Sequence, residues 1–307
     1  MPVVRLRSTA AGARPTGQEA DSALPRFQQA DAYRAQREWQ RYVGTPQRDL
    51  FRELRERFLA RHSASDGWVL DFGSGPGRFL PFIGGPAARR VALDVSHEML
   101  ELAASAWVAD GRTGRLPDRV VGIAERPPLR TARWSEVVVL GNTLGFAGPN
   151  ADRLLNQAVG LVAPGGSLLV EAAPAPGERS IYLERLPPSA VARLLRSPVR
   201  AVISRVVREG FKADAPRHRT PRSFRRFSAS ELREHLSTAE WEVTETMAVA
   251  PALGADARRV EAVRGDPKAW SHLLELEEEV GRRPDRWAGA AAVLVAARHA
   301  PLMRMIK

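Results

Sequence analysis

The chain has 307 residues, of which 44% are hydrophobic and 26% are charged, as in a globular protein of one large domain or two modest ones. It contains no cysteine, which excludes disulfides, thiolate zinc sites, iron–sulfur clusters and cysteine nucleophiles. The formal net charge of +11 has two interpretations: an anionic partner, or a codon bias that favours arginine throughout the chain.

The N-terminal part of the sequence predicts a tail followed by two helices. Residues 1–25 are rich in alanine, glycine, threonine and arginine without periodicity, so we expect a disordered tail. From residue 26 onwards, apolar and aromatic residues recur at spacings of three and four, which is typical of a helix. Gly44 ends this helix, and Thr45 as N-cap with Pro46 in the first turn begins a second one, which reaches residue 62.

A short buried strand then runs into a glycine-rich turn. Val69 and Leu70 belong to the strand, and the turn has glycine at positions 73, 75 and 77. Glycine is needed there because a Cβ atom would block both the turn and the approach of a ligand. Residues 78–83 are expected to open a helix, whose positive end would face the same ligand. The pattern therefore predicts a ligand site at the carboxyl end of this strand.

Beyond the turn, short apolar strands alternate with helices. Because such strands are covered on both faces, this alternation predicts a mostly parallel α/β sheet, with the last strand antiparallel. Ser96 and either Ser228 or Ser230 are the expected N-caps of two of the helices. The expected strands are 91–94, 119–124, 136–140, 167–171, 241–245 and 290–298, and the expected helices are 97–109, 152–162, 228–236 and 266–281.

The spacing D-x-G-x-G-x-G from Asp71 to Gly77 resembles motif I of the class I S-adenosylmethionine-dependent methyltransferases. A dinucleotide fingerprint, G-x-G-x-x-G, would instead need glycine at position 78, which is Arg78. Asp94 ends the next strand about 20 residues later, where an acid in nucleotide-binding α/β proteins takes the ribose hydroxyls. The run from Leu93 to Leu100 resembles the family's D-x-S-x-x-M-L segment. The resemblance implies a Rossmann-like, seven-stranded, mostly parallel sheet with helices on both faces.

The resemblance also implies S-adenosylmethionine as the cofactor and a role for each matching residue. The glycines admit the cofactor, Asp71 faces its cationic amino-acid end directly or through water, and Asp94 binds the ribose. Apolar side chains flank the adenine, and the residues after strand four line the methionine end. The implied cofactor-binding residues are Asp71, Gly73, Ser74, Gly75, Gly77, Asp94, Val95, Met99, Ile123, Ala124, Asn142 and Leu144.

Two stretches depart from patterns found in this family. Ile123 stands where the family has an acid that contacts the adenine amino group, so adenine is held by apolar contacts and the Ala124 backbone, or Glu125 substitutes for the acid. After strand four, residues 141–146 do not match the Asn/Asp-Pro-Pro-aromatic motif of methyltransferases that act on exocyclic base amines. This mismatch argues against that class of nucleic-acid enzyme.

The resemblance further implies how the remaining segments are used. Residues 26–62 would form a helical cover over the cofactor, residues 63–307 the cofactor-binding domain, and residues 174–227 a basic helical insert after strand five that serves as a lid on the substrate side. A general base is needed only if the acceptor is a hydroxyl or a protonated amine. The candidate bases are Tyr33, Tyr42 and His218, and the candidate substrate contacts are Trp39 and Phe146.

The expected activity is methyl transfer to a small-molecule acceptor. The alternatives are an RNA methyltransferase that uses the segment Arg193–Arg226, a catalytically silent protein that binds S-adenosylmethionine, and another nucleotide-binding α/β enzyme. The segment carries eleven basic and two acidic residues, which leaves it open whether it is an anion-binding lid or a solvated helix pair. The sequence has no metal-ligand spacing, no apolar run of about 20 residues and no secretory signal, so we expect a cytoplasmic protein without a metal.

Overall fold

Seven strands form a single sheet in the computed structural model. The strands are β1 (Val69–Phe72), β2 (Arg90–Asp94), β3 (Asp118–Val121), β4 (Trp134–Val139), β5 (Val162–Ala172), β6 (Trp241–Val249) and β7 (Ala292–His299). The structure describes residues 38–39, 44–63, 66–86, 89–109, 116–174, 186–198, 200–202, 225–253, 257–287 and 290–301.

The strand order across the sheet is β3-β2-β1-β4-β5-β7-β6. Strands β1 to β5 pair in parallel, whereas β7 is antiparallel to both β5 and β6. The prediction of a mostly parallel seven-stranded sheet with an antiparallel last strand is therefore confirmed. Parallel pairing brings the carboxyl ends of β1, β2 and β4 to one edge, where ligands of open α/β sheets bind.

Helices cover both faces of this sheet. They are α1 (Pro46–His62), α2 (His97–Ala109), α3 (Thr143–Ala147), α4 (Ala151–Leu161), α5 (Pro188–Leu195), α6 (Ala229–Leu236), α7 (Ala257–Arg264) and α8 (Pro267–Gly281). Val69 and Val138 belong to a buried cluster with α1, α2, α5, α7 and α8, and their neighbours Leu70 and Val137 belong to a second cluster with α3, α4 and α6. The two clusters follow from the two-residue period of a strand.

Three predicted N-caps are confirmed by their hydrogen bonds. The Thr45 hydroxyl accepts from the Arg48 N–H at 3.3 Å, and the Ser96 hydroxyl accepts from the Met99 N–H at 3.3 Å. Ser228 and Glu231 form a full capping box at the start of α6. Each cap satisfies an N–H that has no partner within its own helix.

Two local predictions are wrong. Residues 78–82 form hydrogen-bonded turns rather than the start of a helix, because Pro81 lacks the N–H that a helix would need there. Strand β5 begins at Val162 rather than at the predicted residue 167, so Pro164, Gly165 and Gly166 lie inside it, where the pairing with β4 shifts register. In addition, β3 ends at Val121, so Ile123 and Ala124 lie beyond the strand that was expected to contain them.

Several predictions fall on parts of the chain outside the described residues. These are the tail 1–25, most of the helix expected before Gly44, the candidate bases Tyr33, Tyr42 and His218, and most of the segment Arg193–Arg226.

Candidate functional site

The glycine turn after β1 is shaped by close contacts on two sides and by open space on a third. Gly73, Gly75 and Gly77 have φ angles of 77°, 52° and 68°. A Cβ atom on Gly73 would collide with the Thr143 side chain, and one on Gly77 would lie 2.6 Å from the Ala103 Cβ. A Cβ on Gly75 would meet nothing within 4 Å. Gly75 therefore borders open space that a ligand can enter.

The turn is bonded to the end of the neighbouring strand β2. The backbone N–H groups of Gly73 and Ser74 donate to the Leu93 carbonyl at 2.8 and 2.9 Å. The Gly75 N–H donates to Asp94 Oδ2 at 2.8 Å, and the Ser96 N–H donates to Asp94 Oδ1 at 2.9 Å. Each carboxylate oxygen has further lone pairs, so Asp94 can still accept hydrogen bonds from two ribose hydroxyls.

Asp71 is a buried carboxyl group at the end of β1. Its residue is 3% exposed, and within the described part of the chain no hydrogen bond to its side chain is found. Burial raises the pKa of Asp71 to about 7, and the nearby charge of Asp94 adds to this shift. A positively charged ligand group would stabilise the carboxylate form of Asp71. A pyrophosphate would be repelled, because it carries the same sign of charge.

The pKa of Asp94 is also raised above its usual range. Burial is the main cause, and the charge of Glu38 adds to it, whereas the N–H groups of Ser96, Gly75 and Val95 act in the opposite direction. Two carboxyl groups at adjacent strand ends, with a third nearby, make an acidic site. These carboxyl groups fit a cationic nucleoside better than an anionic dinucleotide.

The residues expected around adenine gather beside Asp94. The Gly122 N–H donates to the Asp94 carbonyl at 3.0 Å, which brings the segment with Ile123 and Ala124 next to the end of β2. Val95, Met99, Ile123 and Ala124 are all half-buried, and Glu125 is 8% exposed. The structure therefore brings these residues together, while their contact with adenine stays a prediction.

The turn after β4 contacts the glycine turn on the side away from β2. The Thr143 hydroxyl donates to the Gly73 carbonyl at 3.1 Å, so the two turns are in direct contact. Asn142 adopts a left-handed conformation with φ 68°, and its Oδ1 accepts from the Ala173 N–H at 3.1 Å. Leu144, in contrast, is fully buried in the core cluster that contains Phe72. Asn142 therefore lies beside the turns, and the role of Leu144 at the methionine end stays a prediction.

The two candidate substrate contacts lie in different surroundings. The Arg78 guanidinium is 4.2 Å from the centre of the Trp39 ring and donates a hydrogen bond to the Trp39 carbonyl. Trp39 is therefore held directly against the glycine turn. Phe146 is 58% exposed on α3, close to the Arg225 N–H that donates to the Gly145 carbonyl. Contact between a substrate and either ring stays a prediction.

Sequence reasoning missed a buried ion pair between Arg55 and Glu171 at this edge of the sheet. Both residues line a cavity of about 310 Å³. The remaining lining residues are Gln47, Arg48, Phe51, Asn142, Ala173 and Ala291. A signal was present, since Arg55 lies four residues from both Phe51 and Leu59 on an apolar helix face, and Glu171 ends an apolar strand.

Three of the described arginines of the segment Arg193–Arg226 contact the domain. Arg196 pairs with Asp266 at 2.6 Å, and Arg225 pairs with Glu231. Arg226 donates to the Pro174 carbonyl at 3.1 Å. These three residues therefore hold the ends of the insert in place, and a role of the segment in binding RNA stays a prediction.

The described residues contain neither a candidate metal site nor a candidate membrane-spanning helix. Among them, no group of three or more histidine or acidic side chains is placed to hold a metal ion. No helix within the described ranges combines the length and apolar character needed to span a membrane.

Comparison with known proteins identifies the domain. Residues 69–166 match a family model described as a methyltransferase domain, and no curated protein matches the chain. Magnesium protoporphyrin IX methyltransferase from Synechocystis PCC 6803, solved with bound S-adenosylhomocysteine, is 11% identical over 91% of this chain and 100% of its own, with a TM-score of 0.51.

Two further solved structures are similar at lower TM-scores. A methyltransferase in complex with the Haloferax volcanii activator Trm112 is 20% identical over 89% of this chain and 96% of its own, with a TM-score of 0.49. The [4+2]-cyclase SpnF is 16% identical over 80% of each chain, with a TM-score of 0.46. The family match and the strand order together show that this chain contains a methyltransferase domain with the fold of the class I S-adenosylmethionine-dependent methyltransferases.

Proposed function

We propose that the protein transfers the methyl group of S-adenosylmethionine to a small-molecule acceptor. The observation that carries the proposal is the Asp71 carboxyl group, which is buried without a hydrogen-bond donor from the described residues, beside Asp94 and the open face of Gly75. A positive charge is what this arrangement lacks. A sulfonium nucleoside with a free amino group supplies that charge and fits the open space above the glycine.

Residues at the carboxyl ends of β1, β2 and β3 would each contact a different part of such a cofactor. Asp71 balances the amino group, directly or through water. Asp94, held by the N–H groups of Gly75 and Ser96, accepts from the ribose hydroxyls. Val95, Met99 and Ile123 would flank the adenine, and the Ala124 backbone would contact it.

The chemistry needs placement more than it needs reactive side chains. The sulfonium supplies an activated methyl group, and its in-line transfer requires no covalent enzyme intermediate. Asn142 and the two linked turns would hold the methionine end in one orientation, and we propose Trp39 and Phe146 as contacts of the acceptor. Holding two reactants aligned at a distance near 3 Å lowers the barrier by roughly 7–11 kcal/mol.

A proton acceptor is needed only for a hydroxyl or a protonated amine acceptor. Tyr33, Tyr42 and His218 are proposed for this role. Replacement of each in turn by phenylalanine or glutamine would change the pH profile of turnover if that residue removes the proton.

The acceptor class is tested by incubating the protein with radiolabelled S-adenosylmethionine and an extract of the source cell. We expect the label in the small-molecule fraction. Label in the RNA fraction would contradict the small-molecule acceptor and support the alternative. Cofactor binding without transfer to any fraction would support a regulatory protein.

A further inference from the structure

A buried ion pair joins helix α1 to the end of strand β5 beside the candidate site. The Arg55 guanidinium donates to both carboxylate oxygens of Glu171, from Nε at 2.8 Å and from Nη2 at 2.7 Å. The residues are 116 positions apart in the chain and are 4% and 2% exposed. Arg55 Nη1 also donates to the Phe51 carbonyl at 2.8 Å. A two-pronged contact of this kind fixes the orientation of both side chains.

The Glu171 carboxylate also holds the turn after β4. Its Oε2 accepts from the Gly141 N–H at 3.2 Å, and two residues later the Ala173 N–H donates to Asn142 Oδ1 at 3.1 Å. Gly141 and Asn142 have φ angles of 67° and 68°. Glycine adopts this left-handed conformation readily, but at Asn142 it costs free energy that the surroundings must offset. The end of β5 therefore fixes this turn through two hydrogen bonds.

Stability alone does not account for this arrangement. The cost of removing two charges from water offsets most of their attraction, so apolar side chains of similar volume would stabilise the fold about as well as Arg55 and Glu171 do. The pair instead links three elements, namely α1, β5 and the turn after β4. Arg55, Asn142 and Glu171 line one cavity at the edge of the sheet where the cofactor and acceptor would meet.

Resting on the proposed function, we infer that Arg55 and Glu171 are positioning residues for the methionine end of the cofactor. They act through Gly141 and Asn142, which they hold against the glycine turn, and they tie α1 over the same place. Their effect therefore falls on ligands that carry the amino-acid moiety. A ligand that ends at the ribose and sulfur does not reach the turn after β4.

Two ligands separate this role from a structural one. S-Adenosylhomocysteine carries the amino-acid moiety, whereas methylthioadenosine lacks it. Calorimetric titration compares both ligands on wild type and on the double variant Arg55→Met with Glu171→Leu, which removes both charges and the acceptor for the Gly141 N–H. We expect S-adenosylhomocysteine to bind at least about tenfold more weakly and methylthioadenosine to change by less than about twofold.

A matched control isolates the hydrogen bond to Gly141. The double variant Arg55→Met with Glu171→Gln also removes both charges but keeps an amide oxygen for the Gly141 N–H. It is expected to bind S-adenosylhomocysteine at least about threefold more tightly than the leucine variant, because the Gly141 N–H keeps an acceptor. Unchanged binding in the leucine variant, or equal weakening of both ligands, would overturn the inference.

If the leucine variant does not fold, as judged by circular dichroism, Arg55→Lys carries the same comparison. Lysine keeps the charge beside Glu171 but cannot make the two-pronged contact. A selective loss of S-adenosylhomocysteine supports the inference, and an equal loss or none overturns it. Wild type that does not bind S-adenosylhomocysteine contradicts the proposed function itself, so the two failures are distinguishable.

Discussion

Asp71 couples cofactor binding to pH. Because burial raises its pKa to about 7, much of the group is protonated in the free protein at neutral pH. A cationic amino group favours the ionised form, so binding releases a proton. We expect the affinity for S-adenosylmethionine to rise with pH from about 5 to about 7, by up to tenfold for each unit, and then to level off.

Calorimetry at several pH values in buffers of different ionisation enthalpy measures both the affinity and the released proton. Asp71→Asn should bind weakly and with a flatter profile, since only the titration of Asp94 remains. An affinity that falls as pH rises through this range would contradict the assigned contact.

Substitutions at the glycines of the turn distinguish an effect on stability from an effect on cofactor affinity. Gly75→Ala places a Cβ in open space at φ 52°, so we expect a stability cost of about 1–2 kcal/mol but at least a tenfold loss of cofactor affinity. Gly165→Ala is the control, because Gly165 has φ 81° and open space at the opposite edge of the sheet. Thermal unfolding and calorimetry on both variants make the comparison, and similar affinity losses would refute the ligand role of Gly75.

Single residues also show where sequence reasoning was limited. The Asp71–Gly77 spacing was sufficient to predict the glycine turn after β1, because the conformation of a tight turn depends on residues adjacent in the sequence. The pairing of Arg55 with Glu171 joins residues 116 positions apart, and each alone looks like a charge in an apolar segment. Only the packing of α1 on the sheet brings them together.

At the scale of elements, ion pairs join α1, β6 and α8. The Glu245 carboxylate accepts from Arg61 at 3.2 Å, from Arg282 at 3.1 Å and contacts His62 Nε2 at 2.6 Å. Burial alone would raise the pKa of Glu245, but the hydrogen bond from His62 and the charges of Arg61 and Arg282 lower it to about 2. The folded state therefore prefers the ionised form, which stabilises the fold above pH 4.5 and less as pH falls towards 2.

Glu245→Gln should lower the free energy of unfolding at neutral pH by about 1–2 kcal/mol, a modest value because the group is partly exposed and screened by solvent. Urea unfolding at neutral pH and near pH 3 measures how this loss shrinks in acid. Glu242→Gln, at an exposed position of the same strand, is the control and should change little. A loss that is the same at both pH values would exclude the ionised pair as its cause.

Element boundaries were predictable where capping chemistry sets them. Thr45, Ser96 and Ser228 mark helix starts because their hydroxyls accept from N–H groups three residues later. Periodicity failed at residues 78–82, where Pro81 removes a donor that the helix needs. It also failed to find the start of β5, because the register shift opposite β4 is decided by pairing between strands.

At the scale of the whole molecule, the excess of positive charge makes the salt dependence of RNA binding a test between an RNA acceptor and a small-molecule acceptor. If the segment Arg193–Arg226 binds RNA, affinity for unmodified transfer RNA should fall roughly a thousandfold between about 50 and about 200 mM salt, because bound counterions are released. A small-molecule methyltransferase should show no such binding near physiological ionic strength. Filter binding over a salt series distinguishes the two acceptor classes. Any variant of this segment used in the comparison should keep Arg196 and Arg225, because they pair with acids of the domain.

The most direct test titrates the purified protein with S-adenosylmethionine in a calorimeter, with NAD as the competing ligand and Asp94→Asn as the matched variant. We expect one cofactor site per chain, a preference for S-adenosylmethionine over NAD, and a loss of affinity of at least about tenfold in the variant. Tighter binding of NAD, or equal binding of S-adenosylmethionine by wild type and variant, would contradict this expectation.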